Sequence, residues 1–241
     1  MNKFFLVCIS VLLMSQQSFG QKDTVDLKVQ KPLLPKMIIP ATLILSGVLL
    51  SGSKTEKNWQ IDVRNKVGND FRTENDNYIQ YIPFAQIYIG DLVGMKAKNH
   101  WFDQTKNIFL GGMVTMVVTH SLKRAIGKSR PDGARHAFPS GHTAASFMGA
   151  TMLYHEFKDE NVIYASSGYL FSTTTGGMRV MNNRHWVSDV LAGAGVGILV
   201  ANLIYHIEPL KNFNPFKNSK NISFSPMIDN EGFNFTASLQ F

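Results

Sequence analysis

Six apolar stretches occupy most of the chain: Met37 to Gly52, Tyr78 to Met95, Ile108 to Leu122, His142 to Phe157, Val162 to Met178 and Val187 to Ile207. All are rich in Gly, Ala, Ser and Thr, which let helices approach closely in a bilayer. Together they predict an all-α fold, a bundle of about six helices embedded in a membrane. Most of the stretches fall short of the ~20 apolar residues that span a bilayer comfortably, and the mean hydropathy of −0.05 is low for six spanning helices. A soluble or peripheral helical domain is therefore the alternative, because short apolar runs do not separate buried helices from spanning ones. Val187 to Ile207 is the best spanning candidate.

The flanks differ in character. Residues 1–20 read as a secretory signal: Lys3 is the positive n-region, Phe4 to Met14 the apolar run, and Ser18-Phe19-Gly20 the small-residue cleavage site. Cys8, the one cysteine, lies inside that signal, so the mature chain is expected to have no disulfide, thiolate nucleophile or Cys-based metal site. Ser53 to Asn77 is polar and mixed in charge, and reads as a surface helix or loop carrying no chemistry. After Pro209 the chain becomes a polar tail, 211–241, in which Phe233, Phe235, Ala237, Leu239 and Phe241 alternate with polar residues. With Asp229 to Gly232 as the turn, that period of two predicts a short C-terminal β-hairpin with Ile222 to Met227. The expected organisation is thus a signal at 1–20, a helical domain at 21–210 and the tail. The net charge of +7 favours anionic partners. Scattered basic residues without an aromatic-interleaved patch argue against nucleic acid.

Three polar groups sit at the ends of the apolar stretches. The first, "KRAIGKSRP", carries Lys123, Arg124, Lys128 and Arg130; alone it reads equally well as a cationic flank facing lipid headgroups. In the second, "FPSGH", Pro139 ends what precedes it, Ser140 and Gly141 turn, and His142 begins a helix whose free N–H groups and dipole form an anion seat. His142 is placed to donate a proton to an oxygen leaving that seat. In the third, "GMRVMNNRHWVSD", His185 and Asp189 are four residues apart, so on a helix the carboxylate accepts from Nδ1 and leaves Nε2 free to attack. An Asp near the end of a spanning helix is costly unless paired. Each group alone is commonplace.

In this order and spacing (Lys123, six residues, Arg130-Pro131; Pro139-Ser140-Gly141-His142; Arg179, five residues, His185, three residues, Asp189) they resemble the signature of the type 2 phosphatidic acid phosphatase family, which also takes in class A acid phosphatases and vanadium haloperoxidases. The resemblance covers roughly Phe109 to Tyr205. One position departs from it: Met178 stands where the family usually has Ser, which removes a hydroxyl partner for a phosphate oxygen. The resemblance implies that Lys123, Arg130 and Arg179 clamp the phosphoryl oxygens, with the Ser140 hydroxyl and the Gly141 N–H as further donors. It implies that His185 attacks phosphorus while Asp189 holds its tautomer, and that His142 protonates the leaving group. No metal and no cofactor is expected.

The implied activity is a membrane lipid phosphate phosphatase of the bacterial cell envelope, with phosphatidic acid, phosphatidylglycerophosphate, undecaprenyl diphosphate and lipid A as candidate substrates. A soluble periplasmic acid phosphatase, a vanadate haloperoxidase and an inactive envelope scaffold are the competing readings. The resemblance implies a site facing the periplasm. With a cleaved signal, however, three full crossings before Lys123 would place it in the cytoplasm.

Overall fold

The structure is a computed structural model that describes residues 33–207 together with 222–229 and 232–239. The expected signal and Cys8 lie outside the described residues. Eight helices occur among those residues: α1 Leu34–Leu50, α2 Lys54–Val67, α3 Asn75–Ile79, α4 Ile82–Leu92, α5 Trp101–Ile126, α6 Gly141–Phe157, α7 Val162–Met181 and α8 Val187–His206. Five of the expected apolar stretches correspond to single helices. The sixth, Tyr78 to Met95, is broken between α3 and α4, where Pro83 enters the first turn of the new helix. Proline lacks the N–H a continuous helix would use and disfavours helical geometry at the residue before it.

Local signals set the other boundaries. Ser53 caps α2 by accepting from the Glu56 N–H at 3.0 Å, and α2 leaves α1 at 91°. Gly127, at φ 63°, ends α5 in the left-handed conformation that glycine adopts without strain. The Asn161 side chain accepts from the Ile163 and Tyr164 N–H groups and starts α7.

The core forms where α6 meets α8: Met148, Met152, Leu153 and Phe157 pack with Val196, Val200, Ala201 and Ile204. Helix directions follow from their contacts. Asn202 donates to the Lys36 carbonyl at one end of α1 while Gly47 meets Ser188 at the other, so α1 runs antiparallel to α8. Gly111 and Thr115 of α5 face Met152 and Met148, making α5 antiparallel to α6. Gly168 and Gly176 of α7 face Leu153 and Thr143, making α7 antiparallel to α6 as well. Phe84 and Gly90 of α4 face Gly149 and Phe157, so α4 runs parallel to α6. The C-terminal ends of α5 and α7 and the N-terminal ends of α6 and α8 therefore meet at one end of the bundle, and the three polar groups sit there.

The outer helices expose apolar side chains: Leu34, Ile38 and Leu49 on α1, Phe109, Met116 and Val117 on α5, and Ile163 and Leu170 on α7. An apolar surface spread over three helices marks contact with lipid or protein rather than water. Among the described residues only α8 is by itself long and apolar enough to cross a membrane, and it is mostly buried inside the bundle. The tail forms the expected hairpin. β1 Ile222–Asp229 pairs antiparallel with β2 Gly232–Leu239, with Asp229 opposite Gly232.

Candidate active site

Lys123 lies in the last turn of α5 and donates to the carbonyls of His136 at 2.9 Å and Ala137 at 3.2 Å, which ties the helix to the loop entering α6. Arg130 sits in that loop, whose turn is closed by its own N–H on the Ala134 carbonyl at 2.7 Å. Ser140 is fully buried as the cap of α6, and its Oγ accepts from the Thr143 hydroxyl at 2.9 Å and the Thr143 N–H at 3.5 Å. Its N–H donates to the Asp189 carbonyl at 2.9 Å, fastening the start of α6 to the start of α8. Gly141 and His142 open α6, and first-turn N–H groups have no acceptor within their own helix. His142 Nε2 donates to Asn77 Oδ1 at 3.0 Å.

Arg179, in the last turn of α7, donates through Nη1 to Asp76 Oδ2 at 2.7 Å. Asn183 then turns the chain at φ 60°, and the N–H groups of Arg184 and His185 return to the Arg179 carbonyl at 3.0 and 3.2 Å. His185 is 2% exposed and Asp189 fully buried, with Nδ1 to Oδ2 at 3.3 Å. Nδ1 is thus the donor, and the Nε2 lone pair has no partner among the described residues. The expected pairing is present, but α8 begins at Val187, after His185, so the two do not share a helical face. Asp189 instead reaches back over the helix start, where Oδ2 also accepts the Trp186 N–H at 2.9 Å.

A cavity of about 510 Å³ opens at this end. Arg130, His142 and Arg179 line it, joined by Arg72, Asp76, Asn77, Asn182 and Arg184; Lys123, Ser140, Gly141, His185 and Asp189 do not. Burial, reinforced by the charges of Lys123 and Arg179, pushes the His185 imidazole down to about 4. Burial and then Arg179 do the same to His142, also to about 4, with Asp76 opposing. Both rings stand at the polar end of the bundle, before or at the start of the apolar helices. Burial and the Arg130 charge likewise lower Lys123, to about 8. Lys123, Arg130 and Arg179 therefore act as one cationic field. The Nε atoms of Arg130 and Arg179 are buried and have no hydrogen-bond partner among the described residues. Buried donors are normally satisfied, so two open guanidinium donors beside a cationic cavity suit an anion with several acceptor oxygens.

The segment Ser53 to Asn77 is not the idle surface that its composition suggested. Glu56, Gln60 and Asp76 are buried. Gln60 donates to the Val180 carbonyl and to Asn183, and Arg64 to the Met181 carbonyl, so α2 is bolted to the end of α7. Asp76 and Asn77 hold a motif cation and a motif histidine. Sequence reasoning missed them because each partner is distant in the chain: Arg179 lies 103 positions from Asp76. Met178 adds no polar group, and the cavity's hydroxyl and amide side chains are those of Thr73, Asn77 and Asn182.

A family model described as the PAP2 superfamily matches residues 104–213. A lipid A 1-phosphatase of Porphyromonas gingivalis is 38% identical over 142 residues, 58% of this chain and 32% of that protein. A PA-phosphatase related-family protein of Dictyostelium discoideum is 26% identical over 154 residues, 53% of this chain and 55% of that protein. The chain thus spans about a third to about half the length of these curated relatives. Among solved structures, the first transmembrane PAP2 type phosphatidylglycerolphosphate phosphatase from Bacillus subtilis aligns with a TM-score of 0.52 at 17% identity. That alignment covers 74% of this chain and 99% of the other, a likeness of fold.

Proposed function

We propose that this chain, whose residues 104–213 match the PAP2 superfamily model, is a member of that family and hydrolyses lipid phosphates by way of a phosphohistidine. The observation that carries the reading is the buried His185–Asp189 pair beside a cavity whose Arg130 and Arg179 keep donors unpartnered among the described residues. The apolar flanks of α1, α5 and α7 support a lipid substrate, since acyl chains can stay in the bilayer while the headgroup reaches the polar end. The relative that acts on lipid A puts a lipid A 1-phosphate first among substrates to try.

Lys123, Arg130 and Arg179 take the equatorial phosphoryl oxygens, where charge spreads in the transition state. The Gly141 N–H adds a donor at the head of α6, and Ser140 shapes the turn that presents it. Burial and then the Arg179 charge hold His142 down; the anionic headgroup offsets that charge, so the ring binds a second proton as substrate enters. Nε2 of His185 attacks phosphorus in line, the ester P–O bond breaks, and the leaving oxygen takes a proton from the His142 cation. His142 then takes a proton from water as the water oxygen attacks phosphorus. The P–N bond breaks, inorganic phosphate leaves and the imidazole is restored. In the free site Asn77 holds the His142 N–H, so the leaving oxygen replaces Asn77 as its partner.

The test is phosphate release by purified protein across lipid A, phosphatidic acid, phosphatidylglycerophosphate and undecaprenyl diphosphate. His185→Ala should abolish release, orthovanadate should inhibit as a mimic of five-coordinate phosphorus, and EDTA should have no effect. Unimpaired release by His185→Ala would sink the assignment.

A further inference from the structure

Behind Asp189 lies a charge cluster that the phosphoryl chemistry above does not use. Lys128 donates to Asp189 Oδ1 at 3.0 Å, to Ser188 Oγ at 2.6 Å and to Glu56 Oε1 at 2.9 Å, which uses all three of its N–H bonds. Ser188 Oγ also donates to Glu56 Oε1, and the Gly52 N–H donates to Oε2 at 2.6 Å. Glu56 is 1% exposed, and each of these partners is a donor, so it stands as an acceptor-only carboxylate. Ser53 and Glu56 have the spacing of a capping box, yet the Glu56 side chain turns inward instead of closing on the Ser53 N–H. The rings of Trp186 and Phe138 lie 5.6 and 5.8 Å from the Lys128 ammonium and wall the cluster. Glu56 belongs to α2, outside the 104–213 segment that the family model matches.

We infer that Glu56, acting through Lys128, is a positioning residue for the nucleophile: it keeps a net negative charge behind His185 and holds Asp189 in register with Nδ1. With Lys128 alone, the Asp189 charge would be cancelled. Two carboxylates sharing one ammonium leave a charge of minus one. The imidazole needs that charge when attack on phosphorus makes it cationic, because fixed opposite charge at a developing charge lowers the barrier. Among the described residues the other charges that act on His185 are the cations Lys123 and Arg179; Arg179 is already paired with Asp76 at 2.7 Å, so the cluster is chiefly the counterweight to Lys123.

The kinetic arm of the test rests on the phosphatase reading; a spectroscopic arm does not. Glu56→Gln keeps shape and an acceptor oxygen but removes the charge. It should lower kcat by about tenfold and leave KM within about twofold, the pattern of an interaction made in the transition state. Lys128→Met leaves two carboxylates unbridged and should also lower kcat. The double variant restores minus one, so its kcat should exceed the product of the single effects. In parallel, the His185 ring resonance is followed in isotope-labelled full-length protein in detergent, assigned by its loss in His185→Asn. Its titration should move down in Glu56→Gln, up in Lys128→Met and back toward wild type in the double variant. Glu56→Asp, which keeps the charge, should titrate like wild type. An unmoved titration in Glu56→Gln, or strictly additive kinetic losses, would overturn the inference. If wild-type protein releases no phosphate from any lipid, the phosphatase reading fails and the titration still decides this one.

Discussion

The protonation state of His185 is set by what surrounds it. A ring buried to 2% exposure beside two cations resists protonation, and its value of about 4 lies well below the ordinary 6.5. At neutral pH it is therefore a neutral base with Nδ1 tied down, the form that can attack. The same shift links pH to stability. Between 6.5 and 4 the unfolded chain binds the proton that the folded site refuses, so stability is fully present above about 6.5 and falls as pH drops toward 4. The thermal midpoint of detergent-solubilised protein should accordingly fall between pH 7 and pH 5, and His185→Gln should show a shallower fall. Equal slopes in both proteins would mean that the ring is not held neutral by burial.

The site depends on how closely the helices meet, and α8 carries glycines where they touch. A Cβ on Gly193 would stand 2.6 Å from the Ser140 carbonyl oxygen and 3.3 Å from Thr143 Cβ, both at the start of α6. Gly193→Ala must push α8 away from the turn that carries His142, at a cost of about 1–3 kcal/mol for overpacking a tight core. A lowered thermal midpoint with reduced turnover is expected, whereas Gly177→Ala, which meets nothing within 4 Å, serves as the neutral control. The helices were legible because apolar stretches and their Pro and Gly boundaries are local properties. The break at Pro83 was written in the sequence but hidden within one long apolar run. The motif residues were legible through their order along the chain, which the up-and-down helices convert into one polar end. Glu56, Asp76 and Asn77 were not legible: a buried carboxylate looks like a solvated one, and Asn77 like any surface amide, until the partner is known, and Lys128 lies 72 positions from Glu56.

For the molecule as a whole, the helix directions constrain orientation. From residue 33 the chain runs along α1 to the polar end, crosses it through α2 and α3, returns along α4, and comes back along α5 to Lys123. Residue 33 and the site therefore lie at opposite ends, and α4 keeps the parity although its 11 residues span only about 16 Å. A site facing outward requires residue 33 to lie inside, whereas a chain delivered outward by a cleaved signal would place the site inside. We propose the outward site. Single cysteines in a Cys8→Ser background decide the matter: Glu74→Cys at the cavity, and Asp159→Cys in the exposed turn between α6 and α7 at the other end. A membrane-impermeant maleimide added to intact cells should label Glu74→Cys and reach Asp159→Cys only after the membrane is opened. The reverse pattern would put phosphate release on the inner side and make residues 1–20 a working export signal. Labelling of both in intact cells would show that the apolar flanks of α1, α5 and α7 do not seal the bundle into a bilayer.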